Sequence, residues 1–212
     1  MRKIMLLNAK GGSGKTTIAT NLASYYATKN LNVVLADFDP QKSSLSWLSA
    51  RSPSKPPIRA YDGVRRRGAS QKAADICIMD TPAALHGKDL NSMIRRAETI
   101  IIPVLPSMLD MRAAREFIKE IRSFPAIIGK RAKIAVIGNR VRMQTNVAWQ
   151  LDEFLLKLRF SFPTHLRDSM NYIRAAEKGL GIFEMSRYAT IAERDDWMPL
   201  LRWLGSQRSM PY

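Results

Sequence analysis

Cysteine, histidine and acid are all scarce in this chain of 212 residues. The single cysteine, Cys77, excludes an internal disulfide framework and any zinc site built from several thiolates of one chain, and it fits a reducing, cytoplasmic setting. Two histidines, His86 and His165, have no cysteine or carboxylate at metal-ligand spacing, and nothing in the pattern supplies a nucleophile and base for a second substrate. Long hydrophobic runs are missing as well. Ile4–Leu7 is broken at Asn8 and gives way to Lys10, too short for a signal-peptide core and far too short for a membrane span. There is no repeat, heptad pattern or low-complexity tract. Acidic residues number 18 against 34 Lys and Arg, a formal net charge of +16. Solubility asks for a net charge of only about 2–8 in a small domain. The surplus therefore points to an anionic partner, either nucleic acid or an acidic membrane face.

What is present is an ordinary core-forming composition, 46% hydrophobic, in a length that suits one domain over residues 1–212. The excess charge is spread rather than held in a tail: fifteen of the sixteen excess charges lie in residues 1–150, and residues 151–212 carry only +1. Apolar runs alternate with amphipathic stretches. Strands are expected at Lys3–Asn8, Asn32–Asp37, Asp75–Asp80, Thr99–Val104, Lys133–Gly138 and Phe160–Thr164, with helical patterns at 15–29, 88–97, 110–123, 146–158, 169–178 and 190–204. Continuous apolar runs such as Val33–Ala36 suit strands buried on both faces, so the fold class is α/β, a mostly parallel twisted sheet flanked by helices on both faces. Arg51–Pro57, with three prolines, reads as a surface loop. Gly63–Gln71 holds the densest basic run, Arg65-Arg66-Arg67.

The chemistry concentrates after the first strand. Residues 10–17 read Lys-Gly-Gly-Ser-Gly-Lys-Thr-Thr and open the first helix. Gly11, Gly12 and Gly14 allow a curl with positive φ that points successive N–H groups, those of Ser13 and Thr17 included, at an anion, and the helix N-terminus adds its dipole. Lys15 would reach the β and γ phosphates of a nucleotide and Thr16 would offer its hydroxyl to Mg2+. Ala9 stands where the general phosphate-loop pattern has glycine, and Lys10 is a second lysine that a nucleotide held by one subunit does not need.

With Lys10 the loop resembles the deviant Walker A group of P-loop NTPases, the ParA/MinD family of partitioning and positioning ATPases. Further segments carry the resemblance through residues 3–184. Asp37–Gln41 (Asp-Phe-Asp-Pro-Gln) is similar to the family's switch segment, which implies that Asp39 orients or activates the attacking water and that Asp37 lies near the Mg2+ shell. Asp39 also suits a helix N-cap before Pro40. Ile76–Pro82 resembles a Walker B strand, with Asp80 holding Mg2+ through water. Asp110 follows the next strand in a family-like position, structural or at a dimer interface. Asn139 matches a residue that reads the adenine edge, although asparagine after a strand is also a common turn former. Leu166–Glu184 resembles the family's C-terminal pattern.

The resemblance implies an ATPase using ATP and Mg2+, slow until a partner stimulates it, in which Lys10 reaches across a homodimer to the partner's nucleotide. The dimer would bind double-stranded DNA without sequence preference on the nucleoid, through Arg140, Arg142, Arg167, Arg174 and Lys178, with Lys130, Arg131 and Lys133 in addition. A ParB-like adaptor would stimulate hydrolysis and link the dimer to a cargo such as a plasmid, a chromosome or a carboxysome. A phosphate loop starting at residue 10 leaves no helix-turn-helix ahead of it, against site-specific operator binding. The single cysteine excludes a nitrogenase-type cluster bridge, and Tyr212 alone is no tyrosine-kinase tail. The alternative is a MinD-like membrane switch using Trp197–Gly205 as an amphipathic foot. Pro199, Glu193, Asp195 and Asp196 argue instead for a final helix docked on the sheet.

Overall fold

Strands that are buried along their whole length define the architecture. In the computed structural model, which describes residues 1–69 and 74–211, every residue of β2 (Val33–Asp37), β5 (Ile76–Asp80) and β6 (Thr99–Val104) is buried. Such strands can only pair in parallel under helical cover. The full order is β1 (Arg2–Leu6), α1 (Lys15–Ala27), β2, α2 (Ser43–Ser49), β3 (Ile58–Asp62), β4 (Arg67–Gly68), β5, α3 (Gly87–Ile94), β6, α4 (Met108–Arg122), α5 (Pro125–Ile128), β7 (Lys133–Val141), α6 (Asn146–Lys157), β8 (His165–Arg167), α7 (Met170–Ala176) and α8 (Ile191–Gly205). The expected class holds: an eight-stranded, mostly parallel sheet with flanking helices. The end of the Gly63–Gln71 basic stretch and Tyr212 lie outside the described residues.

The chain divides into two compact units, each discontinuous in sequence. The first comprises Met1–Leu6, Lys15–Pro82 and Ser169–Arg194. Its strands run β4-β3-β2-β5-β1, all parallel but for the short antiparallel β3–β4 pair. Register places Asp37 beside Asp80 and Asp80 beside Leu6, so two carboxylates end adjacent strands. The proline-bearing loop after α2 is anchored rather than loose. Arg51 makes a buried two-pronged pair with Glu184, Nη2–Oε1 2.6 Å and Nη1–Oε2 2.8 Å, and also donates to the carbonyls of Pro56 and Gly179. A guanidinium that fills its donors this way tolerates burial.

The second unit comprises Leu7–Gly14, Ala83–Asp168 and the chain from Asp195 onward, with strands in the order β6-β7-β8. Here β8 begins at His165, later than the expected Phe160–Thr164, because Pro163 cannot donate to a ladder; only Ser161 makes a lone bridge, to Ala135. β3 escapes prediction because Arg59 and Asp62 interrupt its apolar pattern. Within α8 the residues Trp197, Leu200, Leu201, Trp203 and Leu204 are all buried, so the helix is docked as expected. Trp197 is fully buried, whereas Trp149 on α6 is 68% exposed. Trp197→Ala should therefore lose roughly 3–5 kcal/mol of unfolding free energy. Trp149→Ala should stay within about 0.5 kcal/mol of the parent. Urea denaturation followed by circular dichroism compares the two.

Candidate functional site

The phosphate loop is braced by side chains of the second unit. Gly12 and Gly14 take positive φ, +76° and +92°, while Gly11 does not and needs no glycine for its backbone. The expectation that all three glycines curl with positive φ is thus corrected, because two left-handed residues suffice to turn the chain. At Gly14 a second constraint applies: a Cβ would lie 2.1 Å from Nδ2 of Asn139. That amide nitrogen donates to the Ser13 carbonyl at 2.8 Å. Asn139 therefore holds the loop from β7 through one amide hydrogen, which leaves its second N–H and its carbonyl oxygen outside this bond. Asn8 does a similar service, accepting from the Lys10 N–H at 3.0 Å and donating to the Pro103 carbonyl at 2.6 Å. Ala84 N–H donates to Ala9 O at 2.8 Å. Lys10 itself lies outside the curl, 42% exposed, its ammonium 2.8 Å from the largely buried Asp110 carboxylate.

The first unit carries the charged groups. Lys15 opens α1 and is buried; burial lowers its pKa, opposed by the charges of Asp80 and Asp39. Asp80 ends β5 and is buried too. Loss of hydration raises its pKa to about 7 and the Asp37 charge adds to this, while the Thr16 hydroxyl and Lys15 pull the other way. Thr16 faces this carboxylate, yet neither Asp80 oxygen accepts a bond of ordinary length and angle. A buried carboxylate with lone pairs to give, beside a hydroxyl, fits Mg2+, which takes one or two protein oxygens and completes its shell with water and phosphate. Among the described residues no three His, Cys, Asp or Glu side chains gather as a metal cage.

Asp37 is different. Its Oδ1 accepts from Asp39 N–H at 2.9 Å, and its Oδ2 accepts from the Ser44 hydroxyl at 2.7 Å and the Ser44 and Leu45 N–H groups. Both oxygens bond to the switch segment and the start of α2, Oδ2 through three donors and Oδ1 through one. The capping role considered for Asp39 thus falls to Asp37, while α2 begins later, after Lys42. Asp39 instead accepts from Gln41 N–H at 2.9 Å in a local turn. Cys77 is buried and pushed up to about 11, an inert thiol.

Of the residues expected on DNA, Arg140, Arg142 and Arg167 belong to the second unit and Arg174 and Lys178 to the first. Arg140, Arg142, Arg174 and Lys178 are exposed, as are Lys130 and Arg131, with Lys133 half-buried. Arg142 pairs with Asp168 at 2.9 Å. Arg167 is gripped by Asp196 through Nε at 2.6 Å and Nη2 at 2.8 Å, which leaves little of its guanidinium for a phosphate. Both histidines prove to have carboxylate partners distant in sequence. His86 Nδ1 lies 2.9 Å from Glu120, and His165 is tucked against Asp152 at 2.5 Å.

The family model described as the CobQ/CobB/MinD/ParA nucleotide binding domain matches residues 4–182, and the chain belongs to this family of nucleotide-binding ATPases. Among particular relatives, it is 28% identical over 189 residues to maintenance of carboxysome distribution protein A of Halothiobacillus neapolitanus, covering 86% of this chain and 87% of that one. Its fold is shared with apo McdA of Cyanothece (TM-score 0.76, 17% identity, 95% of this chain and 99% of that one). It is shared as well with the Aquifex aeolicus cell division protein MinD (TM-score 0.74, 16% identity, the full length of both).

The raised pKa of Asp80 has a testable consequence. The folded, nucleotide-free protein binds a proton more tightly at this site than the unfolded chain, so the stabilisation is complete below about pH 4 and lost as pH rises through about 7. Asp80→Asn should flatten that slope between pH 4.5 and 8 and raise stability at pH 8, read from urea midpoints of the two proteins across the range. Parallel slopes would mean that Asp80 is not the titrating group.

Proposed function

We propose that this protein is a ParA-type positioning ATPase whose ATP-bound form is a sandwich dimer that binds duplex DNA without sequence preference. The observation that carries this reading is Lys10, a lysine in the phosphate loop that stands outside the curl and is partly exposed. Within one subunit, Lys15 has the position to neutralise the β and γ phosphates, and Thr16 and Asp80 have the oxygens for Mg2+. Asp39, next to Lys15 in charge terms and free on its second oxygen of the local turn, is the group to orient the attacking water. A site with so little acid–base equipment turns over slowly on its own, and an adaptor that completes it would set the timing.

The 28% identity to a maintenance of carboxysome distribution protein favours a protein or nucleic-acid cargo moved over the nucleoid. The net charge of +16 suits a phosphate surface whose affinity falls with log salt by about 0.9 per neutralised phosphate. The membrane alternative needs an exposed apolar foot, and of Trp197–Gly205 the residues Trp197, Leu200, Leu201, Trp203 and Leu204 are buried, with Met198 alone exposed among the bulky apolar side chains. No helix among the described residues is long and apolar enough to cross a membrane.

Lys10→Ala should keep the fold and bind ATP, yet neither dimerise with ATP and Mg2+ in sedimentation velocity nor retard a nonspecific duplex. Wild-type protein that pellets with acidic liposomes and ignores DNA at moderate salt would falsify the DNA reading. Asp39→Ala should bind ATP and DNA while hydrolysis, followed by phosphate release, drops by about 10²-fold or more, the scale expected for losing a positioned catalytic group. Unchanged turnover removes Asp39 from the role.

A further inference from the structure

A second site lies in the second unit, at the opposite end of its strands from the loop. Asn139, which holds Ser13, is near the end of β7, whereas Ser161 bridges Ala135 near that strand's beginning. Beside Ser161 is a cleft of about 350 Å³, walled by Phe162, Pro163, Pro199 and Trp203 and flanked by Arg202 and Arg208. This volume falls at the lower end of the range for small-ligand pockets.

Three features say what the cleft takes. Arg202 and Arg208 are exposed and neither forms an ion pair among the described residues, and the lining contains no acidic side chain. Trp203 is only 7% exposed, yet its indole N–H is buried with no acceptor. A buried donor left unpaired is costly and uncommon, and a ligand oxygen would satisfy it once the indole turns toward the cleft. The remaining walls are two rings and two prolines, rigid apolar surfaces that lose little entropy when covered. We infer that this cleft docks an acidic peptide segment of a partner protein, an apolar side chain filling it and an adjacent carboxylate held by Arg202 and Arg208. Charge complementarity selects the carboxylate, and the walls select its apolar neighbour. A duplex backbone would reach the two arginines but is too broad to enter a cleft of this volume or to approach a tryptophan this deeply set. The site owes nothing to the nucleotide reading, since every residue that forms it lies apart from the loop.

The test follows indole N–H signals of the nucleotide-free full chain labelled with 15N-tryptophan, the Trp203 signal being assigned by its loss in Trp203→Phe. The probes are capped dipeptides pairing Asp or Glu with each of Leu, Ile, Met, Phe, Tyr and Trp, their Asn and Gln counterparts, and a 20-base-pair duplex. Acidic dipeptides should move the Trp203 signal saturably, the amide counterparts should not, and Arg202→Ala with Arg208→Ala should weaken binding about tenfold or more. The double variant's other three indole signals report that it is folded. The inference is overturned if no acidic dipeptide moves the signal or if the amide versions move it equally. It is also overturned if the duplex moves it and displaces the dipeptides, which would make the cleft a nucleic-acid contact.

Discussion

A buried carboxylate beside a buried ammonium is the constraint around which the candidate site is organised. Asp80 and Lys15 are both out of water, and each disfavours its own charged form by burial while favouring the other's. Such an arrangement costs stability in the free protein, and it is kept where positive and negative groups are to be presented to a phosphate and a metal. Two fully buried parallel strands, β2 and β5, make it possible: their register sets Asp37 beside Asp80, and the two then divide the work. Asp37 gives Oδ2 to Ser44 and Leu45 at the start of α2 and Oδ1 to the Asp39 N–H, while Asp80 keeps its lone pairs.

Loop geometry follows a parallel logic in the second unit. The backbone of residues 8–14 is shaped by two left-handed glycines and tied down by Asn8, Ala84 and Asn139, three groups widely separated in sequence. Gly14 illustrates how tight this is, since even a methyl group would collide with the asparagine that holds its neighbour. A loop pre-organised in this way has its amides in place before an anion arrives, so binding does not have to supply the ordering. Lys10 is left outside the curl, resting on Asp110, where it can serve something other than its own loop.

Strand and helix periodicity read the architecture well because buried parallel strands are continuous apolar runs and their helices are amphipathic. β2, β5, β6 and β7 were legible on that basis, as were the loop between β1 and α1 and the docked α8. The misses have physical causes. β8 lies later than expected because Pro163 cannot donate, and β3, next to the edge strand β4, carries charges that interrupt its apolar pattern. Arg51 looked like a loop residue, since nothing in Arg51–Pro57 reveals that Glu184 waits for it 133 positions away.

The sequence by itself determined the chemistry: which residue types stand after the first strand, which carboxylates end the strands, and that the surface is strongly basic. Local patterns suffice for this, because a phosphate loop and a strand-ending aspartate are each written within a few consecutive residues. Only the tertiary structure decided how those groups are used. Asn139 holding Ser13 and Asp196 taking Arg167 are contacts between distant segments, and whether Asp80 and Trp203 keep unbonded polar atoms depends on what the fold packs around them. Their hydrogen-bond partners depend on strand register and packing, which no short window of residues specifies.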